Sequence, residues 1–293
     1  MTPHTRLLRL RRKLWLEAGR GVDVPADAPV VGIPQALSIY TYLPLWRRFF
    51  NRLGYRVLLS GGTTQAIRDL GGRMSGAEFC FPAKGFLGHV ASLAGQAGVD
   101  FVFLPEMKNE VPNEHVTAST FCPYVQASPA YARAALALNA MDSVRILSPI
   151  IDLRLEARLQ LKRLVKALGP ALGRSARDIE AAWHEAYAVQ RDFEQQLRDE
   201  GARVLADARA TGERLLVIVG RPYNIYDSGL NLDLPEKLAE QGRTVVPLDF
   251  LTPDLSRLGD RYRNTYWGHG QKILAALAEV AGNDLLDAVY FTN

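Results

Sequence analysis

Two cysteines carry the most pointed chemistry in this sequence. Cys80 lies in the stretch GAEFCFPAKGFLGHV, Gly76 to Val90, with Pro82, Lys84 and His89 close behind it, and Cys122 is followed by Pro123. Both read as residues at the start of a helix. The aligned peptides there carry partial positive charge and stabilise a thiolate, the form that binds metal. The two lie too far apart in sequence for a C-x-x-C zinc knuckle, whereas iron–sulfur clusters accept soft thiolates from widely separated loops. The plainer interpretation is a pair of buried, inert thiols, because two cysteines do not make a disulfide framework.

Other chemistries leave little trace. There is no G-x-x-x-x-G-K-[ST] phosphate loop, no G-x-G-x-x-G after a strand, no G-x-S-x-G elbow and no H-E-x-x-H pair among the five histidines. A nucleotide used by this system is therefore expected on another protein. The net charge is only +4, and five basic residues fall between Arg6 and Lys13. That lead-in reads as a solvated helix face, with docking of a partner as its rival, and nucleic acid is not expected. No apolar run reaches the ~18–20 residues of a membrane span. The arginine-interrupted leucines at the start lack the core of a signal peptide, so no membrane association and a cytoplasmic location are expected.

The elements that must position these residues alternate between strand and helix. APVVGIP, YRVLLS, DFVFLP and SVRILSPII read as strands of a first region, with LSIYTYLPLWRRFFNRLG, GFLGHVASLAGQAG and SPAYARAALAL as helices between them. Ser128 is expected as the N-cap of the last of these, and LRLEARLQLKRLVKALGP is expected to stop at Gly169–Pro170. A longer helix begins at Ser175, with Asp178 completing an imperfect capping box. Its Ile179, Trp183, Tyr187, Gln190, Phe193 and Leu197 form a packing stripe. RLLVIVG, RTVVPLDFL and LLDAVYFTN are the strands of a last region. This pattern predicts an α/β protein with two doubly wound parallel-sheet domains of the Rossmann or flavodoxin kind, joined by a helical segment. The expected divisions are 1–151 (holding both cysteines), 152–213 (helical) and 214–293. Ligands of such sheets bind beyond the carboxyl ends of the strands. There lie Gly32–Pro34, Ser60–Gly62, Pro105–Glu106 and Gly220–Arg221–Pro222–Tyr223.

The segments VGIPQALSIYTYLPLWRRFFNRLGYRVLLS, CFPAKGFLGHV, VIVGRPYNIYDSGLNLDLPEKL and TYWGHGQKILAALAEV resemble the acyl-CoA dehydratase activase-related family. That family is kin to 2-hydroxyacyl-CoA dehydratase and benzoyl-CoA reductase subunits and to double-cubane-cluster proteins. The resemblance runs from about Val31 to Asn293. It implies an iron–sulfur redox component of dehydratase or reductase type that receives low-potential electrons from a separate ATP-dependent activator protein and acts on an acyl-CoA or another small substrate. Carried over by position, it implies Cys80 and Cys122 as ligands of a [4Fe–4S] or double-cubane cluster. Lys84 and His89 become residues that touch the cofactor or a ligand, with an exposed helix face as the rival reading. Arg221 and Tyr223 become further contacts, Arg221 suited to a phosphate or, alternatively, to a structural tie across the strand end.

Relatives supply three cysteines per subunit and run on beyond VYFTN, so a cluster is expected to be absent or incomplete in this chain. Two chains in a homodimer would bring four thiolates. Cys80 and Cys122 are expected to face one crest cleft, with the end of the last strand pointing into it. The alternative is a non-catalytic CoA-ligand-binding or scaffold module whose metal site is vestigial.

Overall fold

The structure, a computed structural model, describes residues 3–111, 115–116, 118–141, 143–262 and 264–292. A short 3-10 turn leads into helix α1 (Arg6–Glu17). Next come β1 (Val30–Ile33), α2 (Ile39–Arg52), β2 (Arg56–Leu59), α3 (Gln65–Met74), α4 (Phe81–Ala94), β3 (Phe101–Phe103) and β4 (Glu106–Asn109). They are followed by α5 (Pro123–Gln126), α6 (Ser128–Leu138), β5 (Arg145–Leu147) and β6 (Ile150–Asp152). Two long helices, α7 (Ala157–Leu172) and α8 (Ala176–Thr211), separate these from the rest. The last stretch holds β7 (Leu215–Gly220), α9 (Pro222–Tyr226), α10 (Ser228–Asn231), α11 (Leu234–Glu240), β8 (Thr244–Pro247), α12 (Gly259–Tyr262), α13 (Gly268–Ala281) and β9 (Leu286–Phe291).

The fold is mixed α/β with parallel sheets. One sheet runs β2–β1–β3–β5, a second β8–β7–β9, and a pair β4–β6 stands apart from both. The apolar runs suit this arrangement, because a parallel strand is covered on both faces, and every residue of β7 is buried.

The small pair was not legible in the sequence. SVRILSPII reads as one strand and Pro105–Glu106 as a strand end. In the structure β3 continues past Pro105 into β4, and β5 past Pro149 into β6. Phe103 pairs with Leu147 before the prolines, and Glu106 pairs with Ile150 after them. Proline has no N–H for the ladder, so two prolines at matching positions break both strands together.

Helix boundaries differ in two places. Helix α7 runs through Gly169–Pro170 to Leu172 and ends on Gly173 in the left-handed region, φ 59°. Pro170 forfeits one helical hydrogen bond, while the buried Leu172 gives the last turn something to pack. Ser128 lies inside α6, its hydroxyl donating to the Val125 carbonyl at 2.9 Å, and Ala127 takes the cap position. The box at the start of α8 is complete in both directions between Ser175 and Asp178.

Helix α8 buries Ile179, Trp183, Gln190, Phe193 and Leu197. Trp183 lies 5.9 Å from Trp46 of α2, which in turn lies 4.6 Å from Phe103 of β3. One apolar cluster reaches from Leu7 to Phe291. Among the described residues no helix is long and apolar enough to cross a membrane.

The basic lead-in is not a uniformly solvated face. Arg11 is 2% exposed. Its guanidinium lies 4.1 Å above the Tyr226 ring, pairs with Asp249 at 3.1 Å and donates to the Tyr40 carbonyl. Helix α1 and the turn before it thus join both ends of the chain: Trp15 stacks on Tyr40 at 5.4 Å, while His4 of the turn reaches Thr244 of β8 at 2.9 Å.

Helix α4, which starts at Cys80, crosses α3 at backbone contact. A Cβ on Gly71 would stand 2.0 Å from the Lys84 carbonyl oxygen, and one on Gly88 2.1 Å from that of Ile67. Gly88→Ala is therefore expected to cost ~1–3 kcal/mol through overpacking, measured by urea denaturation. A loss under ~0.5 kcal/mol, the range of a surface substitution, would show that the two helices part freely.

Candidate functional site

Both cysteines are helix caps. Cys80 precedes α4 with φ −60° and ψ 154°, and Cys122 precedes α5 with φ −52° and ψ 139°. Extended caps followed by Pro82 and Pro123 are what the local sequence dictates, since proline at the first or second helical position gives up no needed N–H. Both thiols are free and partly exposed.

Aromatic rings bring the two helix starts together. Phe79 lies 5.0 Å from Tyr131 and 5.7 Å from Tyr124, and Phe86 meets Tyr131 edge-on at 5.7 Å. The Tyr131 hydroxyl is buried and has no hydrogen-bond partner among the described residues. Burial chiefly holds Tyr131 protonated, and the nearby Cys80, Tyr223 and Cys122 add to the effect. Tyr223 likewise feels burial first, then Arg221, Cys122 and Cys80. Both cysteines therefore lie near the same two phenols.

Arg221 caps α9 directly after β7. Burial would lower its pKa, but Tyr223 and Cys122 hold it above the ordinary value, and the Tyr223 hydroxyl is its hydrogen-bond partner. Strand β9 pairs with β7 in parallel, Phe291 opposite Gly220. The end of the last strand therefore comes up beside Arg221. A recess by Cys122, lined by Arg221, Tyr223, Trp267 and His269, holds about 20 Å3, room for a water-sized group only. Anything larger sits at its mouth.

The other two sequence candidates are placed differently. Lys84 turns its amine to Glu78 at 2.8 Å. His89 is neither on an exposed face nor open to a ligand, being 0% exposed with both ring nitrogens engaged. Nδ1 meets the Ser60 hydroxyl and Nε2 the Thr63 hydroxyl, each at 2.8 Å. Thr63 donates onward to Asp227 at 2.6 Å, which fixes the tautomer: Thr63 accepts from Nε2–H, and Nδ1 accepts from Ser60. Burial lowers the His89 pKa to about 4, so the ring is neutral and ties the first sheet to α9–α10.

Two groups went unnoticed in the sequence. Tyr131 sits in an ordinary alanine-rich helix, and nothing in its spacing marks it. His269 and Lys272 stand one turn apart at the start of α13, and both contact the carboxylate of Glu110. That spacing was visible, but their partner lies at the end of β4, far away in sequence.

Among the described residues no three His, Cys, Asp or Glu side chains converge as for a metal ion. No curated protein and no solved structure matches the chain. The family described as CoA enzyme activase uncharacterised domain matches residues 30–251. That span holds both cysteines, Arg221 and Tyr223, covers well over half of the sequence and agrees with the activase-related resemblance of its motifs, so the chain belongs to this family.

Proposed function

We propose that the chain is an iron–sulfur redox component of an acyl-CoA dehydratase or reductase system, with Cys80 and Cys122 as its cluster ligands and its electron supplied by a separate ATP-dependent activator protein. The observation that carries this reading is the unpartnered Tyr131 hydroxyl, buried between two cysteine caps that also share Tyr223. An orphan hydroxyl beside two thiols suits a sulfur-rich group that can accept its hydrogen bond. The donor chemistry fits, but the number of donors falls short. A cubane has four iron corners, and two thiolates from one chain fill half of them. A [4Fe–4S] or double-cubane cluster would thus be held weakly unless a second copy of the chain, or another partner, completes the set.

A bound cluster supplies one-electron redox chemistry. The residues of this chain do the rest. Arg221 places its positive charge near Cys122, and Phe79, Tyr124 and Tyr131 form an aromatic wall next to Cys80. Arg221 also offers a fork for a phosphate of an acyl-CoA. We read the two larger sheets as two doubly wound units that meet across this crest.

Anaerobic reconstitution with iron and sulfide tests the reading, followed by iron analysis and electron paramagnetic resonance. The expected result is thiol-dependent iron uptake that Cys80→Ser or Cys122→Ser reduces at least ~10-fold, about 1.4 kcal/mol of binding. Equal iron in the parent and the double variant would overturn it, leaving a scaffold or CoA-binding module.

A further inference from the structure

Helix α7 carries charge that the fold leaves unanswered. Between Asp152 and Asp178 the chain holds seven basic residues and a single acid, Glu156. Four of the seven, Arg158, Lys162, Arg163 and Lys166, lie on α7 and are exposed. At about 100° per residue they fall within an arc of about 140°. The opposite side of the helix buries Leu161, Leu164, Leu168 and Leu172, so the cations face solvent together.

Several cations elsewhere at the surface find carboxylates. Arg48 and Arg52 share Glu185, and Arg214 and Arg243 share Asp287. The four on α7 have no ion pair and no side-chain hydrogen bond among the described residues. The helix itself has no use for them. Arg158 and Lys162, and again Lys162 and Lys166, are like charges one turn apart, a spacing that destabilises a helix. Arg158 also stands in the first turn, where the macrodipole favours acids, and that turn has none. An opposing row of carboxylates would relieve both effects.

What lies among the cations narrows the partner. Leu159, 44% exposed, is on the same arc. The arc has no aromatic side chain on which nucleic-acid bases could stack. One leucine is too little for a face that enters a lipid surface. Four helical residues rise about 6 Å, and an acidic helix repeats its carboxylates at that same interval. We propose that this face of α7 docks an acidic helix of a partner protein. Carboxylates one turn apart meet Arg158, Lys162 and Lys166, and Leu159 supplies an apolar contact. The surface stands on α7 alone and does not depend on the cluster reading.

The test uses the full chain and a fluorescein-labelled, alanine-based helical peptide with glutamate at every fourth position. Its glutamine analogue is the control. Anisotropy at physiological ionic strength should show saturable binding of the glutamate peptide and none of the analogue. Lys162→Gln with Lys166→Gln should weaken binding at least ~5-fold, about 1 kcal/mol, with a urea midpoint no lower than the parent's. Lys13→Gln with Arg209→Gln removes the same charge from exposed positions elsewhere and should bind as the parent does. Equal weakening in the two double variants would reduce the effect to general attraction by a basic protein and overturn the proposal. So would the absence of saturable binding, or displacement of the peptide by oligouridylate or by phosphatidylserine vesicles at lower concentration than by unlabelled peptide. Self-association of the parent that the Lys162 and Lys166 changes abolish would make a second copy the occupant, and would overturn it too. Because no metal and no thiol takes part, these outcomes leave the iron test untouched.

Discussion

Between pH 6.5 and pH 4 the protein is expected to lose about 3 kcal/mol of folding stability through one side chain, His89. Its folded pKa is lowered to about 4 by burial, against ~6.5 in the unfolded chain. Within that window the unfolded state binds a proton that the folded state refuses, so stability is complete above the unfolded value and falls as pH falls. Each pKa unit is worth ~1.36 kcal/mol. Asp227 works in the opposite sense, since burial raises its carboxyl. Just above its unfolded pKa the folded state holds the extra proton and gains stability on acidification. Urea denaturation at a series of pH values, in the parent and in His89→Gln, separates the two contributions. The difference between the curves should open as pH drops below 6.5. Curves that stay parallel would show that His89 does not resist protonation.

Arg11→Ala is expected to be the most damaging single change in helix α1, at ~3 kcal/mol. Removing one partner of a buried ion pair costs ~3–5 kcal/mol. The low end applies because the Asp249 side chain is 27% exposed and regains some water. The lost packing on Tyr226 and Phe193, whose ring lies 5.3 Å from the guanidinium, adds to the charge effect. Arg11→Met, which keeps most of the stem, should cost less. Lys13→Ala, on the exposed side of the same helix, should stay within ~0.5 kcal/mol. Equal effects of Arg11→Ala and Lys13→Ala on the urea midpoint would refute this account.

The contrast shows what was legible in the sequence. Composition and spacing announce a helix with arginines, and they do not reveal which arginine faces a partner more than two hundred residues away. The same holds at the candidate site. Cys80, Cys122, Arg221 and Tyr223 were visible because helix starts and strand ends have local signatures in proline and glycine. Tyr131 and Glu110 owe their roles to the meeting of distant segments, which no spacing reports. His89 was noticed for its neighbour Cys80, yet the fold turns it to Ser60 and Thr63. The strand runs and the Ser175–Asp178 box were plain, because apolar runs and caps are local. The β4–β6 pair was hidden, because the prolines that create it look like ordinary strand ends.

Helix α1 also sets a schedule for synthesis. His4 contacts Thr244 across 240 residues, and the pocket for Arg11 is finished only when Asp249 has been made. At ~5–20 residues per second a ribosome takes about 12–50 s to cover that distance. During this interval Trp15 can settle on Tyr40, but Arg11 has neither its carboxylate nor Tyr226. The first helix made is thus among the last to be fastened. A nascent chain stalled short of β8 presents a half-docked, basic, leucine-rich helix to whatever chaperone or protease meets it.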